Sequence, residues 1–385
     1  MTKTFGYYLF ALVYHLCRWI PVKKKRVFCI VTHDDGEGSN VAIVVRALKK
    51  QDNDYTFSYL TKRETRAVKS LSGMKTLLTF FFRKPFELAR AEVVLMDNIF
   101  LPYAYLHRRK GTKVIQLWHG TGTIKKFGQD VNIGYLGSLE RRANANITHL
   151  IVNSPSIKKV YAGAFGVAEN NVYPIGLPKT DELLRRIKAA EAAGKWSDKE
   201  YIYQKYHIPS NKKLILYAPT FRDNPEHNPR LIELVKEMSR ELSGDYFLGL
   251  RLHPHIASTF ETEELGSHIC QLSFEKDVNT VLMAADILIT DYSSIIFEYC
   301  LMKRPMIFYA YDFLEFSDQG RGFYYDYESF VPGPVAYNCQ EVLDIIRTKA
   351  FELYRIDDFV NRNYIYTDGN ATDRLIELMK ITNNE

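Results

Sequence analysis

Ala285-Asp286-Ile287-Leu288-Ile289-Thr290-Asp291-Tyr292-Ser293-Ser294-Ile295-Ile296-Phe297-Glu298 reads as an apolar strand, a hydroxyl-rich turn and a helix that opens at about Ser294. Ser, Thr and Asp are good N-caps. The free N–H groups at a helix start, with the positive end of the dipole, make an anion site. Thr290, Ser293 and Ser294 are therefore candidates to hold a pyrophosphate. Glu298, one turn into the helix, is a candidate to accept hydrogen bonds from ribose hydroxyls. Plain capping is the competing reading, because every helix needs a cap. The stretch is no Walker loop, since the chain contains no GxxxxGK[ST].

Working outward, similar apolar runs recur with helical stretches between them. Strands are expected at 26–31, 55–60, 93–97, 114–118 and 150–152, and again at 214–217, 246–252, 287–290 and 306–309. Such alternation predicts parallel βαβ units and an α/β class. Pro174, Gly176 and Pro178 break the pattern, so a hinge is expected near 175. Two Rossmann-like domains facing a cleft follow as the economical architecture, with ligands at the carboxyl ends of the strands. The expected divisions are residues 1–25 (a membrane-associating helix and basic run), 26–175 and 176–358 (the two Rossmann-like domains) and 359–385 (a closing helix).

The length of 385 residues fits two ordinary domains, and 46% apolar with 25% charged residues excludes a disordered chain. Five scattered cysteines without a CxxC pair read as reduced, mostly buried thiols, which fits the cytoplasm. The net charge of +6 is mild, but Lys23-Lys24-Lys25-Arg26, Arg83-Lys84, Arg108-Arg109-Lys110 and Lys125-Lys126 crowd into the N-terminal part. Such clusters suit nucleic acid or an anionic lipid surface, or are simply solvated. The segment Thr4–Cys17 carries no formal charge and is rich in Phe, Tyr and Leu, with Trp19 and the basic run after it. It is shorter than the about 20 apolar residues of a spanning helix and has the wrong charge order for a signal peptide. A helix lying in the headgroup region is expected; a first helix packed on its own domain is the alternative.

Four more clusters carry candidate chemistry, the first three of them at the ends of predicted strands. His119-Gly120-Thr121-Gly122, with Lys125 and Lys126 beyond, presents a histidine at a strand end and glycines in a tight loop. His119 can take a proton from an attacking hydroxyl. Gly120, Thr121 and Lys125 can belong to a phosphate loop, or His119 can be a hydrogen-bonded structural residue. Arg222, after Tyr217-Ala218-Pro219-Thr220-Phe221, offers a planar fork for phosphate oxygens, or is a surface arginine. Alternation puts Arg251 and His253 on one side of their strand, facing either an anion or a neighbouring carboxylate. Arg321, between Gly320 and Gly322, suits a loop that closes on phosphate, or an exposed turn. No metal constellation, cofactor motif or covalent nucleophile is apparent.

In this order the clusters resemble the CDP-glycerol glycerophosphotransferase family of teichoic acid synthesis. The matching pieces are Trp118-His119-Gly120-Thr121, Asn153-Ser154 before Tyr161, Gly176-Leu177-Pro178-Lys179-Thr180-Asp181, Tyr217-Ala218-Pro219-Thr220-Phe221-Arg222, Arg251-Leu252-His253-Pro254, Thr290-Asp291-Tyr292-Ser293-Ser294 with Glu298, Arg321-Gly322-Phe323-Tyr324 and Asp368-Gly369-Asn370-Ala371. The resemblance implies a GT-B-like fold with a CDP-glycerol-binding donor site in the C-terminal domain, 176–358, and an acceptor face on the N-terminal domain, 26–175, near the membrane. It implies His119 as the base that deprotonates a terminal hydroxyl for attack on the β-phosphorus of CDP-glycerol. CMP would leave with its charge held by His253, Arg222, Arg321 and the Thr290–Ser294 turn.

The chain's size resembles the short glycerol-phosphate primases of the family, which act on an undecaprenyl-diphosphate-linked disaccharide. The expectation is thus a peripheral enzyme on the cytoplasmic face of the bacterial membrane, binding CDP-glycerol, that acceptor and an anionic surface, with no nucleic acid. The alternatives are a short CDP-glycerol or CDP-ribitol transferase that adds later units, a nucleotide-sugar GT-B glycosyltransferase or epimerase, and a non-enzymatic protein that binds a membrane surface or nucleic acid through its basic patches.

Overall fold

Val27–Val31 is continuously apolar rather than alternating, the pattern of a strand buried on both faces of a parallel sheet. In the computed structural model it forms the inner part of β1 (Lys23–Val31). The structure describes residues 2–34, 36–69, 73–222, 228–242, 244–258, 266–319 and 322–380. The chain divides into two compact units. One comprises Met1–Gly122, Phe127–Glu182 and Tyr364–Glu385; the other comprises Thr123–Lys126 and Leu183–Asn363.

In the first unit β1 is joined by β2 (Thr56–Thr61), β3 (Ala91–Met96), β4 (Lys113–Gln116), β5 (His149–Val152) and β6 (Val172–Pro174). The order is β2-β1-β3-β4-β5-β6, parallel throughout. Alternate side chains serve the two faces. Val27, Cys29, Val93, Leu95, Ile115 and Ile151 meet Val41, Val44 and Leu48 of the helix Asn40–Gln51, and Leu375 and Ile376 of the helix Ala371–Lys380. Phe28, Ile30, Val94, Met96, Val114 and Leu150 face the other way, toward Phe10, Tyr161 and Phe165.

The second unit contains β7 (Lys213–Tyr217), β8 (Tyr246–Leu250), β9 (Ile269–Gln271), β10 (Ile287–Thr290), β11 (Met306–Tyr309) and β12 (Val335–Ala336). Their order is β12-β11-β10-β7-β8-β9, again parallel. Counted within the unit this is the 3-2-1-4-5-6 order of a Rossmann domain. In each sheet the order reverses once, between β1 and β3 and between β7 and β10.

Three differences from the sequence expectation have local causes. β6, β9 and β12 were not expected; each is only two or three residues long. The strand expected to reach 252 ends at Leu250, because the Arg251 side chain bonds to the turn after β9 and Leu252 N–H donates to Ser273. The expected closing helix is two helices, Tyr354–Asn363 and Ala371–Lys380, in different units. Gly369, at φ +83°, turns the chain between them. The carboxylate of Asp181 then caps the second helix, accepting from Ala371 N (2.9 Å), Thr372 N (2.7 Å) and the Thr372 hydroxyl (2.7 Å). Two motif pieces some 190 residues apart in sequence are therefore one joint. The division between units falls at Glu182/Leu183, with β6 just before the expected hinge.

The first helix, Thr2–Cys17, packs on its own unit through Phe10, Ala11 and Tyr14, with Phe10 against Phe80 and Phe100. Its outer side leaves Phe5, Tyr8, Leu12 and Leu16 exposed. Among the described residues, no helix is long and apolar enough to cross a membrane. All five cysteines are free; Cys29, Cys270 and Cys300 are buried, Cys17 and Cys339 partly exposed.

Candidate active site

Ligands of doubly wound sheets bind outside the carboxyl ends of the strands, where the order reverses. In the first unit that point lies between β1 and β3, and Asp97, the residue after β3, organises it. Its buried carboxylate accepts from the backbone N–H groups of Thr32 (2.9 Å), His33 (3.1 Å) and Asp34 (2.9 Å), which fixes the loop leaving β1. Burial raises the Asp97 pKa, and the three N–H groups work against that rise. Its backbone carbonyl lies 3.2 Å from His119 Nδ1. A carbonyl can only accept, so Nδ1 carries the proton and Nε2 keeps the lone pair.

His119 is held from several sides. The His33 ring stacks on it, with centroids 3.6 Å apart at 12°, and the Trp118 ring lies at 3.9 Å. Trp118 adopts the left-handed region (φ +54°), an uncommon conformation for a bulky residue and one that clusters at functional sites. It is secured by Gln116 Oε1 on its N–H (2.9 Å), by Asn40 Nδ2 on its carbonyl (3.1 Å), and by Phe165 and Phe127 against the indole. Lys179 donates from Nζ to the His119 carbonyl (3.0 Å), and its own N–H goes to Asn40 Oδ1 (2.9 Å). Burial, with His33 and Lys179 nearby, lowers the His119 pKa to about 3, against the opposing pull of the Asp97 carbonyl. The imidazole is therefore neutral at physiological pH, as a proton acceptor must be. After it, the loop is clamped by Asn153 Nδ2 on the Thr121 carbonyl (2.9 Å) and the Tyr161 hydroxyl on the Gly120 carbonyl (3.5 Å). Thr121 is buried, while Lys125 belongs to the second unit, pairing with Phe323 in a short antiparallel bridge.

The second unit's reversal point lies between β7 and β10, and an aspartate again follows the strand. Asp291 Oδ1 accepts from Thr220 N (2.8 Å), and its Oδ2 lies 2.8 Å from Arg222 Nη2. Arg222 is only 5% exposed. Its Nε donates to Asp312 Oδ2 (2.6 Å), Nη2 to Asp312 Oδ1 (3.0 Å) and Nη1 to the Thr220 carbonyl (2.6 Å). The rings of Tyr292, Tyr311 and Phe316 surround the guanidinium, and the Tyr292 hydroxyl donates to Asp312 Oδ1 (3.0 Å). Burial disfavours the Arg222 charge, but Asp291 and Asp312 outweigh it, so the pKa is raised.

Several predicted donor-site residues thus have internal partners. Arg222 faces two carboxylates rather than an open anion site. Thr290 is fully buried, its hydroxyl donating to the Ala218 carbonyl (2.7 Å). Arg251 donates to the carbonyls of Leu272 (3.1 Å) and Glu275 (3.3 Å). The helix after the turn is one short piece, Ile296–Tyr299, running into the 3₁₀ segment Cys300–Met302. Ser293 Oγ accepts from Ile295 N (3.4 Å), Ser294 is exposed and Glu298 half-buried. His253 is exposed, its ring tilted on Phe221 with centroids 4.3 Å apart. Arg321 lies outside the described residues. Among those described, no group of three His, Cys, Asp or Glu side chains is placed to hold a metal. Sequence reading missed His33, Asn40, Asp97, Asp291 and Asp312. Asp97 and Asp291 share one signal, an aspartate that directly ends a buried apolar strand.

A family model described as CDP-glycerol:poly(glycerophosphate) glycerophosphotransferase matches residues 12–380. A teichoic acid poly(ribitol-phosphate) polymerase of Bacillus spizizenii is 33% identical over 377 residues, 96% of this chain and 58% of its own length. The chain thus spans little more than half of that relative. A teichoic acid glycerol-phosphate primase of Bacillus subtilis is 29% identical over 397 residues, 99% of this chain and 97% of the primase. Among solved structures, the wall teichoic acid polymerase TagF, in a variant soaked with CDPG, matches with a TM-score of 0.76 at 22% identity, over 97% of this chain and 93% of that one. This likeness and the two parallel six-stranded sheets establish a GT-B-like pair of Rossmann-like domains.

Proposed function

Because the chain belongs to the CDP-glycerol:poly(glycerophosphate) glycerophosphotransferase family, we propose that it transfers glycerol phosphate from CDP-glycerol to an undecaprenyl-diphosphate-linked disaccharide. This step primes wall teichoic acid and releases CMP. The observation that carries the reading is His119. Its Nδ1 is committed to the Asp97 carbonyl, and its neutral Nε2 is a proton acceptor. Nε2 takes the proton of the acceptor's terminal hydroxyl as that oxygen bonds to the β-phosphorus. The bond from the β-phosphorus to the bridging oxygen breaks, and the electron pair leaves with CMP. Positioning and charge stabilisation suffice for such a transfer.

The exposed Ser294 and His253, with Ser293, Glu298 and Arg321, are proposed to meet the donor. Arg222, Arg251 and Thr290 act as positioning residues, since their donors are used within the protein. Gly120 and Thr121 shape the loop at the base, and Lys125 supplies a cation near Phe316. Peripheral attachment at the cytoplasmic face of the membrane is part of the proposal, supported by the exposed apolar side of the first helix.

The test is CMP release from CDP-glycerol with a synthetic lipid-diphosphate disaccharide, with product mass as the second readout. A gain of one glycerol phosphate supports priming, and a ladder makes the protein a polymerase. Removing a general base costs about 10²–10⁴ in rate, so folded His119→Ala that still releases CMP removes His119 from the mechanism. The 33% identical ribitol-phosphate polymerase favours a second reading, CDP-ribitol as donor. Both donors belong in the same assay.

A further inference from the structure

Beyond the two strand-end sites, the first unit carries a recess of about 490 Å³ lined by His15, Arg18, Trp19, Arg109 and Lys110. Two separate segments build it, the end of the first helix and the loop before β4. Arg109 is pinned by donation from Nη1 to the carbonyls of Ile20 and Ala89, the latter at 3.2 Å. His15 Nε2 lies 3.2 Å from the Tyr105 carbonyl, and the Tyr14 hydroxyl donates to the His107 carbonyl (3.4 Å). Around Tyr14 the charged neighbours are Arg18 and Arg109, which offset the rise that burial imposes on its pKa. Among the described residues no carboxylate pairs with Arg18, Arg109 or Lys110. Three permanent cations converge on a recess without a counter-charge, an arrangement that calls for a bound anion.

The surroundings identify which anion. Phe5, Tyr8, Leu12 and Leu16 are exposed at spacings of 3, 4 and 4 residues, one stripe of the helix, and Trp19, 91% exposed, follows in the turn at its end. The stripe runs along the helix to the recess, which Trp19 lines. Trp prefers the headgroup level of a bilayer, with apolar side chains below it and cations at the phosphates. A nucleic acid would find a track of cations beside polar surface instead.

We propose that this recess binds the headgroup phosphate of an anionic phospholipid, with Arg18, Arg109 and Lys110 around the phosphate and the Phe5–Leu16 stripe and Trp19 in the acyl boundary. This rests on the membrane attachment proposed above and gives it a specific contact. The test is cosedimentation of the full chain with phosphatidylcholine vesicles, with and without phosphatidylglycerol, at one ionic strength. Arg18→Gln combined with Lys110→Gln leaves the Arg109 bonds in place. It is expected to weaken binding to the phosphatidylglycerol vesicles about 30-fold, from the usual contribution of two basic residues at an anionic surface. Binding to phosphatidylcholine alone should not change. Lys236→Gln with Lys349→Gln removes the same charge from exposed sites of the second unit and is expected to bind as wild type. Wild-type binding by the recess variant, or an equal loss in the control pair, overturns the proposal. Displacement by inorganic phosphate at matched ionic strength would make the occupant a soluble phosphate and overturn the lipid assignment. CMP release with a water-soluble acceptor analogue should be unchanged in the recess variant. Its absence in wild type would count against the transferase reading and leave the lipid site standing.

Discussion

With His119 as the proposed base, the pH dependence of turnover follows from its surroundings. A histidine at its ordinary pKa of about 6.5 is about three-quarters protonated at pH 6 and cannot then serve as a base. Its loss would lower kcat/KM about fourfold between pH 8 and pH 6. Burial, with His33 and Lys179 beside it, takes His119 to about 3, which corresponds to roughly 5 kcal/mol against the imidazolium. About one molecule in a thousand is then protonated at pH 6, so kcat/KM, which reports the free enzyme, should show no limb from this group between about pH 5.5 and 8. The comparison is made on kcat/KM because kcat reports the substrate complex instead. A second readout isolates His119 from every other group. The ¹³Cε1 resonance of His119, assigned by its absence in His119→Gln, should stay in its neutral position down to about pH 5. The same shift has a stability consequence. The unfolded chain takes up the proton near pH 6.5 and the folded one only near 3, so stability falls as pH drops through that window. His119→Gln should lose that share of the acid sensitivity. A fourfold limb in kcat/KM near pH 6.5, with the His119 resonance moving in step, would refute the reasoning from burial.

Three substitutions probe the joints beneath the sites. Arg222→Met leaves Asp291 and Asp312 facing each other in the interior, and breaking a buried pair from one side costs about 3–5 kcal/mol. Denaturant unfolding should show it, and a loss under about 1 kcal/mol would mean that the carboxylates find water. Asp181→Ala strips three hydrogen bonds from the start of the Ala371–Lys380 helix, at about 2–4 kcal/mol. Hydrogen exchange should rise in that helix, and unchanged protection there would contradict the capping role. Gly176→Ala puts a methyl 2.8 Å from Ala371 Cβ at φ +89°, costing about 1–3 kcal/mol; a neutral effect on the melting temperature would mean that the joint can open.

The sheets were legible because their long strands are continuous apolar runs, and β1, β3, β7 and β10 announce themselves by composition alone. The edge strands β6, β9 and β12 have too few residues to show a pattern, and only pairing with a neighbour makes them strands. The site was half legible. His119 and Arg222 follow predicted strands, but what they do depends on partners 22 and 90 residues away. Nothing local to Arg222 says that two aspartates will consume its donors, and nothing local to Thr290 says that its hydroxyl faces Ala218. His33 lies in a loop whose polarity was visible, yet its stacking on His119 exists only because β1 and β4 flank β3.

Each unit solves the same problem at its reversal point. The first strand's outgoing loop must be held across the gap to the next strand, and in both sheets an aspartate at that strand's end receives its N–H groups, Asp97 from Thr32–Asp34 and Asp291 from Thr220. What stands beside each aspartate differs. Among the described residues no arginine pairs with Asp97, and its own carbonyl fixes the tautomer of a neutral imidazole. Asp291 shares a buried guanidinium with Asp312. A base needs an uncharged acceptor, and a cation placed as close to His119 as Arg222 is to Asp291 would suppress protonation at the moment it is required. Under the proposed function the second reversal point receives the departing phosphate and needs its positive groups held in place; a guanidinium locked between two carboxylates gives the Thr220–Arg222 loop rigidity. The division of labour proposed for the two reversal points therefore follows from which charge each strand-end aspartate is given.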